Sequence, residues 1–152
     1  MSHKEISQQV DVTQRPRPQL TLDTAWWHRA LRRHQLQIQR CIPCGRLRHP
    51  VQPMCPHCRS LDWDTICAAG TGSVHSFVVT HHPRIPGFDY PLTIALIDLA
   101  EGTRVLGNIV GIAPDSVVIG MAVSMEFVDI DEERSVPQFR PAPRQPADGG
   151  GS

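Results

Sequence analysis

Two cysteine pairs separated by ten residues, Cys41 and Cys44 in C-I-P-C-G and Cys55 and Cys58 in C-P-H-C, constrain this chain more than any other feature. Each C-x2-C pair lets one tight turn aim two thiolates at a single ion. Gly45 supplies the backbone freedom that the first turn needs just past its second ligand. Four thiolates close a tetrahedral shell, so the metal, zinc in the first instance, braces a fold and leaves no vacant position for activating water. Two other readings share the spacing. One is a pair of disulfides, which suits a secreted chain, although nothing here resembles a secretory signal. The other is iron held as in rubredoxin, since iron also accepts tetrahedral sulfur.

A cysteine module of about 30 residues buries too little apolar surface to fold alone, so a metal supplies folding free energy that its core cannot. The full 152 residues leave room for a second small domain beside it. The longest apolar runs, such as Leu92 to Leu99, have the length of a strand and are far short of a membrane span. The expectation is a cytoplasmic protein. Charge is unevenly spread: residues 1–60 hold ten Lys and Arg against three Asp and Glu, and residues 61–152 hold five against twelve. The basic half suits phosphates, an acidic protein or its own acidic half.

Residues 1–20 show no apolar period and read as a disordered arm. From Thr24 or Asp23 as cap, Trp26, Trp27, Ala30, Leu31 and His34 recur at helical spacing, predicting a helix to about His34. Arg29, Arg32 and Arg33 give that helix a basic face, open either to solvent or to an acidic or phosphate partner. Leu36, Ile38 and Arg40 then alternate with glutamines at strand period into the first knuckle. Arg46 to Met54, broken by Pro50 and Pro53, reads as a crossing loop, and the whole as a zinc ribbon. Trp63 should pack at the join. Val74, Ser76–Thr80, Leu92–Leu99, Arg104–Val110 and Ala122–Val128 are rich in β-formers and bounded by Gly, Pro and Asp. About five antiparallel strands after a ribbon predict an oligonucleotide/oligosaccharide-binding (OB) barrel over a sandwich. The fold class expected is mainly β: an N-terminal helix and rubredoxin-like zinc ribbon over residues 21–64, a small OB-fold barrel over 65–142, and a disordered tail over 143–152.

The ordered set of Trp26-Trp27, Q-R-C-I-P-C-G, C-P-H-C, G-T-G-S-V-H-S-F, a P-G-F loop, I-G-M-A-V-S-M-E-F and P-Q-F-R-P resembles the zinc-ribbon and OB-fold proteins catalogued as domain of unknown function thirty-five. The likeness covers about residues 22–142. It implies a small accessory subunit of a thiolase-like enzyme, whether thiolase, acyltransferase or steroid side-chain aldolase, with acyl-CoA lying between subunits and the covalent chemistry in the partner. It also implies a hetero-oligomer. This chain departs from the pattern by its N-terminal arm and by carrying no hydratase-type segment.

Cys67 is the one cysteine outside the metal set; with His75 it could make a nucleophile pair, but beside two alanines it reads as a buried small hydrophobe. His49 and His57 lie near the knuckles and read as surface residues. The proline-rich loop His81–Pro91 is the strongest ligand candidate. Arg84 could hold a phosphate, Phe88 and Tyr90 could stack an adenine, and His81 and His82 could move protons. The same loop could instead dock a partner, because aromatic and arginine side chains favour interfaces and prolines lower the entropy cost of docking. The expected sites are therefore Cys41, Cys44, Cys55 and Cys58 for Zn2+, and His81, His82, Arg84, Phe88 and Tyr90 for acyl-CoA, with no catalytic residue. The rival reading is a single-stranded nucleic-acid binder, which would need a basic groove with aromatic platforms.

Overall fold

The computed structural model describes residues 10–143. The outer parts of the expected arm (1–9) and tail (144–152) lie outside the described residues. No helix among the described residues is long and apolar enough to cross a membrane.

Helix α1 runs Ala25–Arg32 and presents Ala30 and Leu31 to the interior. Thr24 occupies the cap position, but its hydroxyl turns back to Thr21 and caps no helical N–H. The helix stops two residues before the expected His34. Its end is a Schellman turn, in which the His34 N–H bonds to Leu31 O at 2.8 Å and the Gln35 N–H to Ala30 O at 3.0 Å. His34 takes the left-handed position, φ 55°, that glycine usually fills.

Strands β1 (Leu36–Cys41), β2 (Leu47–Arg48) and β3 (Trp63–Ala68) form a three-stranded antiparallel sheet in the order β2-β1-β3. The stretch read as a crossing loop thus contains a short strand, with Gln39 opposite Arg48 and Arg40 opposite Leu47. Two residues of pairing suffice to anchor the hairpin, and too short a run leaves no period in the sequence.

The remaining strands close into a barrel in the order β4-β5-β6-β8-β7: β4 Thr71–Thr80, β5 Leu92–Leu99, β6 Arg104–Ile109, β7 Ala122–Asp129 and β8 Ser135–Pro141. β4 is continuous through a bulge between Val74 and Ser76, which leaves His75 without a cross-strand partner. The barrel's fifth strand is the proline-bearing run V-P-Q-F-R-P, which pairs along β7 from Ser135 to Pro141. Pro137 and Pro141 fit because β8 meets its other neighbour, β6, only through the parallel bridge Ile109 to Phe139, so few of its N–H groups are called on.

One core joins the parts. Leu31 of the helix and Leu36, Ile38 and Ala68 of the ribbon sheet belong to the same buried cluster as Val74, Ile97, Val105, Val123 and Phe139 of the barrel. Trp26 packs on Trp63 with ring centroids 5.1 Å apart and planes tilted by 37°, and Trp27 packs against the cluster. The tryptophans therefore pack, as their helical spacing suggests.

Candidate metal centre and ligand loop

The two knuckles share one geometry. In the first, the Gly45 N–H bonds to Cys41 O at 2.8 Å; in the second, the Arg59 N–H bonds to Cys55 O at 2.9 Å. Gly45 (φ 72°) and Arg59 (φ 64°) both turn left-handed just past the second cysteine, so the freedom that glycine gives the first knuckle is matched by a strained arginine in the second. The four Sγ atoms lie within 4.8 Å of one another, with Cys41 to Cys58 at 3.4 Å and Cys44 to Cys55 at 3.6 Å. A tetrahedral ion with bonds of about 2.3 Å needs sulfurs about 3.8 Å apart, so this set is positioned to bind a metal. Backbone N–H bonds from Cys58, then His57, bring the Cys55 thiol down to about 6. At Cys41 the Cys44 N–H acts in the same direction, but burial and the crowding thiols outweigh it and push that thiol up to about 12. A metal that binds all four must displace the last of these protons.

Cys67 and His49 depart from expectation. Cys67 is exposed, not buried, because Ile66 and Ala68 take the core-facing positions on β3 and Cys67 alternates outward, opposite Gln37. His75, its imagined partner, instead lies 3.2 Å from Asp98. His49 is half-buried, its ring 5.2 Å from Trp27, and burial holds its imidazole below the ordinary histidine range. The short β2 strand carries it there. His57 is exposed, as its knuckle position suggests.

The loop between β4 and β5 holds a groove of about 500 Å3, walled by Arg84, Phe88 and Tyr90 on one side and by Val10, Asp11 and Gln14 of the N-terminal arm on the other. The Ile85 N–H donates to the Tyr90 hydroxyl at 2.8 Å, and the Arg84 guanidinium lies 5.9 Å from the Tyr90 ring. Arg84, Phe88 and Tyr90 thus come together. His81 and His82 do not join them: both are exposed at the loop's entry and neither lines the groove.

Arg15 is the residue that sequence reasoning missed. It lies within the stretch read as a disordered arm, yet it is 8 % exposed. Its Nε donates to Gly87 O at 2.8 Å, and its guanidinium lies 4.5 Å over the Phe88 ring. Gly87 must be a glycine here: φ is +88°, and a Cβ would sit 2.6 Å from the Arg15 backbone nitrogen. The prolines on either side of Arg17 are the only local hint that this arm follows a fixed path.

Comparison with known proteins gives a consistent pattern. Residues 28–64 match the family described as ChsH2, rubredoxin-like zinc ribbon domain, and residues 66–128 match that described as ChsH2, C-terminal OB-fold domain. A probable enoyl-CoA hydratase alpha subunit of Thermomonospora curvata is 50% identical over 138 residues, 91% of this chain and 43% of that protein. The 3-oxo-4,17-pregnadiene-20-carboxyl-CoA hydratase alpha subunit of Mycobacterium tuberculosis is 37% identical over 131 residues, 86% of this chain and 42% of that protein. The chain therefore spans less than half the length of these two relatives. Among solved structures, a chain of the Ltp2-ChsH2(DUF35) aldolase is 51% identical with a TM-score of 0.78, covering 82% of this chain and 98% of that one.

Proposed function

This chain belongs to the ChsH2 family of zinc-ribbon and OB-fold proteins, and from that premise we propose that it is a non-catalytic accessory subunit of a thiolase-like enzyme acting on acyl-CoA thioesters. The observation that carries the reading is the likeness of 82% of this chain to 98% of a chain of the Ltp2-ChsH2(DUF35) aldolase, which is named for two components. The hydratase alpha subunits that share the sequence are named for CoA thioesters, and one of these is a steroid acid. A steroid side-chain aldolase is accordingly the first partner to test.

Zinc is the metal assigned to Cys41, Cys44, Cys55 and Cys58. Four thiolates fill its coordination shell, so its contribution is to hold the two knuckles together and not to activate a substrate. The ribbon then fixes α1 through Trp26 on Trp63, and α1 with the ribbon sheet closes one flank of the barrel core. Acyl-CoA is assigned to the loop groove. Arg84 supplies a fork of donors for a phosphate and Phe88 and Tyr90 supply faces for an adenine. His81 and His82 stand outside the groove at the loop's entry and would meet only a part of the ligand that runs out past it. Arg15 fixes the loop from behind through Gly87 and Phe88. No observation favours the nucleic-acid reading: the patch on β4, β5 and β6 is lined mainly by aliphatic Val78, Ile94, Leu96 and Leu106 with Phe77 as its one aromatic, and the nearby Arg104 and His75 are both paired with Asp98.

Co-expression with a thiolase-like protein encoded beside it tests this reading. The expected outcome is a stable complex in which one equivalent of zinc accompanies each copy of this chain and the preparation is colourless. Arg84→Ala should leave that complex assembled and raise its KM for the acyl-CoA about tenfold. Failure to co-purify with any such protein would sink the proposal, and a red, redox-active preparation would replace zinc with iron.

A further inference from the structure

Where β6 and β8 meet through their single bridge, Ile109 to Phe139, the end of the barrel opens into a cleft of about 480 Å3. Stretches distant in sequence wall it: Arg15 of the arm, Thr93 at the start of β5, Asn108 near the end of β6, and Gln138 and Arg140 of β8. Arg15, Thr93 and Gln138 are each less than a tenth exposed. Buried polar side chains from three segments, with the half-buried Asn108 of a fourth beside them, are unusual for a barrel end that only closes a core.

The Arg140 Nε donates to Glu126 Oε2 at 2.6 Å, and the other Glu126 oxygen accepts from the Gln138 amide, so Arg140 has its counter-ion. Gln138 in turn accepts from the Asn108 amide at 3.5 Å. Arg15 has no such neighbour. Its Nε is spent on a neutral carbonyl, its Nη1 is buried with no hydrogen-bond partner, and it joins none of the ion pairs among the described residues. Asp89 also reaches the cleft, exposed at the rim and outside those same pairs. A guanidinium taken out of water without a counter-charge is costly, and burial holds the Arg15 pKa below its ordinary value. Such a cost is repaid when an anion arrives.

We propose that this cleft is an oxyanion site, in which a carboxylate or phosphate monoester of a small molecule accepts hydrogen bonds from Arg15, with Arg140, Asn108 and Thr93 forming the rest of the polar wall. The shared chemistry is a pair of acceptor oxygens spaced for a planar fork. The volume lies within the range of roughly 300–1,000 Å3 usual for small-molecule sites. This cleft shares Val10, Asp89 and Tyr90 with the groove assigned above to acyl-CoA, but its cations are different residues.

The test is a titration of the full zinc-loaded chain at constant ionic strength, following the Arg Nε–H and backbone amide resonances by NMR. Three probes separate the sources: inorganic phosphate, adenosine 3′,5′-bisphosphate and succinate. Saturable shifts centred on Arg15, Asn108, Gly111 and Arg140 are expected with at least one probe. A response to phosphate and the bisphosphate assigns a phosphate ester, and a response to succinate alone assigns a carboxylic acid. Arg15→Gln should weaken binding tenfold or more. Because Arg15 also holds the neighbouring loop, Arg140→Gln attacks the cleft from the other side and should weaken binding at least threefold, whereas Arg104→Gln, an exposed barrel arginine, should change it less than twofold. Shifts that do not saturate, that spread over the basic surface, or that survive both cleft substitutions would overturn the site. That result would leave the accessory-subunit reading standing, since partner assembly and the Arg84 groove are read out by co-purification and KM.

Discussion

A Cβ added at position 87 would meet the Arg15 backbone at a φ of +88°, so this glycine and that arginine define each other's place. Gly87→Ala should cost at least about 1 kcal/mol from the left-handed backbone alone. It should also expel Arg15, seen as faster amide exchange over residues 10–17 and 84–90 with the barrel amides unchanged; unaltered exchange in both segments would mean that the arm is held elsewhere. His49 makes a second residue-scale case. Its folded pKa is depressed by burial, so the neutral ring is the folded form. As pH falls through about 6.5, the unfolded chain takes up a proton that the folded chain resists, and stability drops. His28, lowered by burial and by Arg134, adds in the same direction. Thermal melts between pH 7.5 and 5 should fall for the wild type and flatten for His49→Phe; parallel curves would exclude the effect. The cluster of four cysteines positioned for a metal was legible in the sequence because coordination chemistry imposes their spacing on neighbouring positions. Arg15 was not, because its partner lies 72 residues away and nothing periodic links them.

At the scale of elements, the passage from α1 to the barrel rests on a cluster at the helix end. His34 in its left-handed turn stacks on Phe127 at 5.0 Å and places Nε2 2.9 Å from Asp129, which also accepts from Ser135 and lies 3.5 Å from Arg32. The Ser135 hydroxyl, then His34, hold the Asp129 carboxyl below the usual carboxylate range. A depressed carboxylate contributes stability above its unfolded pKa and loses it as pH falls through the folded value, which puts the loss below about pH 4. Asp129→Asn should lower the melting temperature at pH 7 and converge with the wild type at the acid end, leaving the limb due to Asp98, lowered by Arg104, and to Glu126, where burial is outweighed by hydrogen bonds from Arg140 and Gln138. Curves that stay parallel from pH 7 to 2.5 would show that this cluster is not coupled to folding. The strands β5 and β7 were legible as β-rich runs between turn residues. β8 was obscured by its prolines, which a barrel tolerates where one edge of the strand is nearly unpaired, a circumstance set by tertiary pairing and invisible in the run itself.

For the whole molecule, the informative fact is that the ribbon and the barrel do not have separate cores. Leu31, Leu36, Ile38 and Ala68 lie in one buried cluster with Val74, Ile97, Val105, Val123 and Phe139. The sequence marked out two modules, because a metal motif and a set of strands have different local signatures, but a shared core comes from the way α1 and β1 lie against the barrel. The consequence concerns the metal. Structural zinc in small modules contributes on the order of 10 kcal/mol, comparable with the total stability of a domain. If the ribbon were an independent appendage, stripping its metal would melt residues 36–68 and leave the barrel's transition in place. With a continuous core, loss of the knuckles frees Leu36 and Ile38 and exposes the barrel flank they cover. Chelation of the metal-loaded protein should therefore lower the melting temperature of one cooperative transition, with ribbon tryptophan fluorescence and far-ultraviolet β-signal lost together, and Cys58→Ser should reproduce the shift without chelator. Two separated transitions, the later one at the metal-loaded temperature, would show that the barrel stands without its brace.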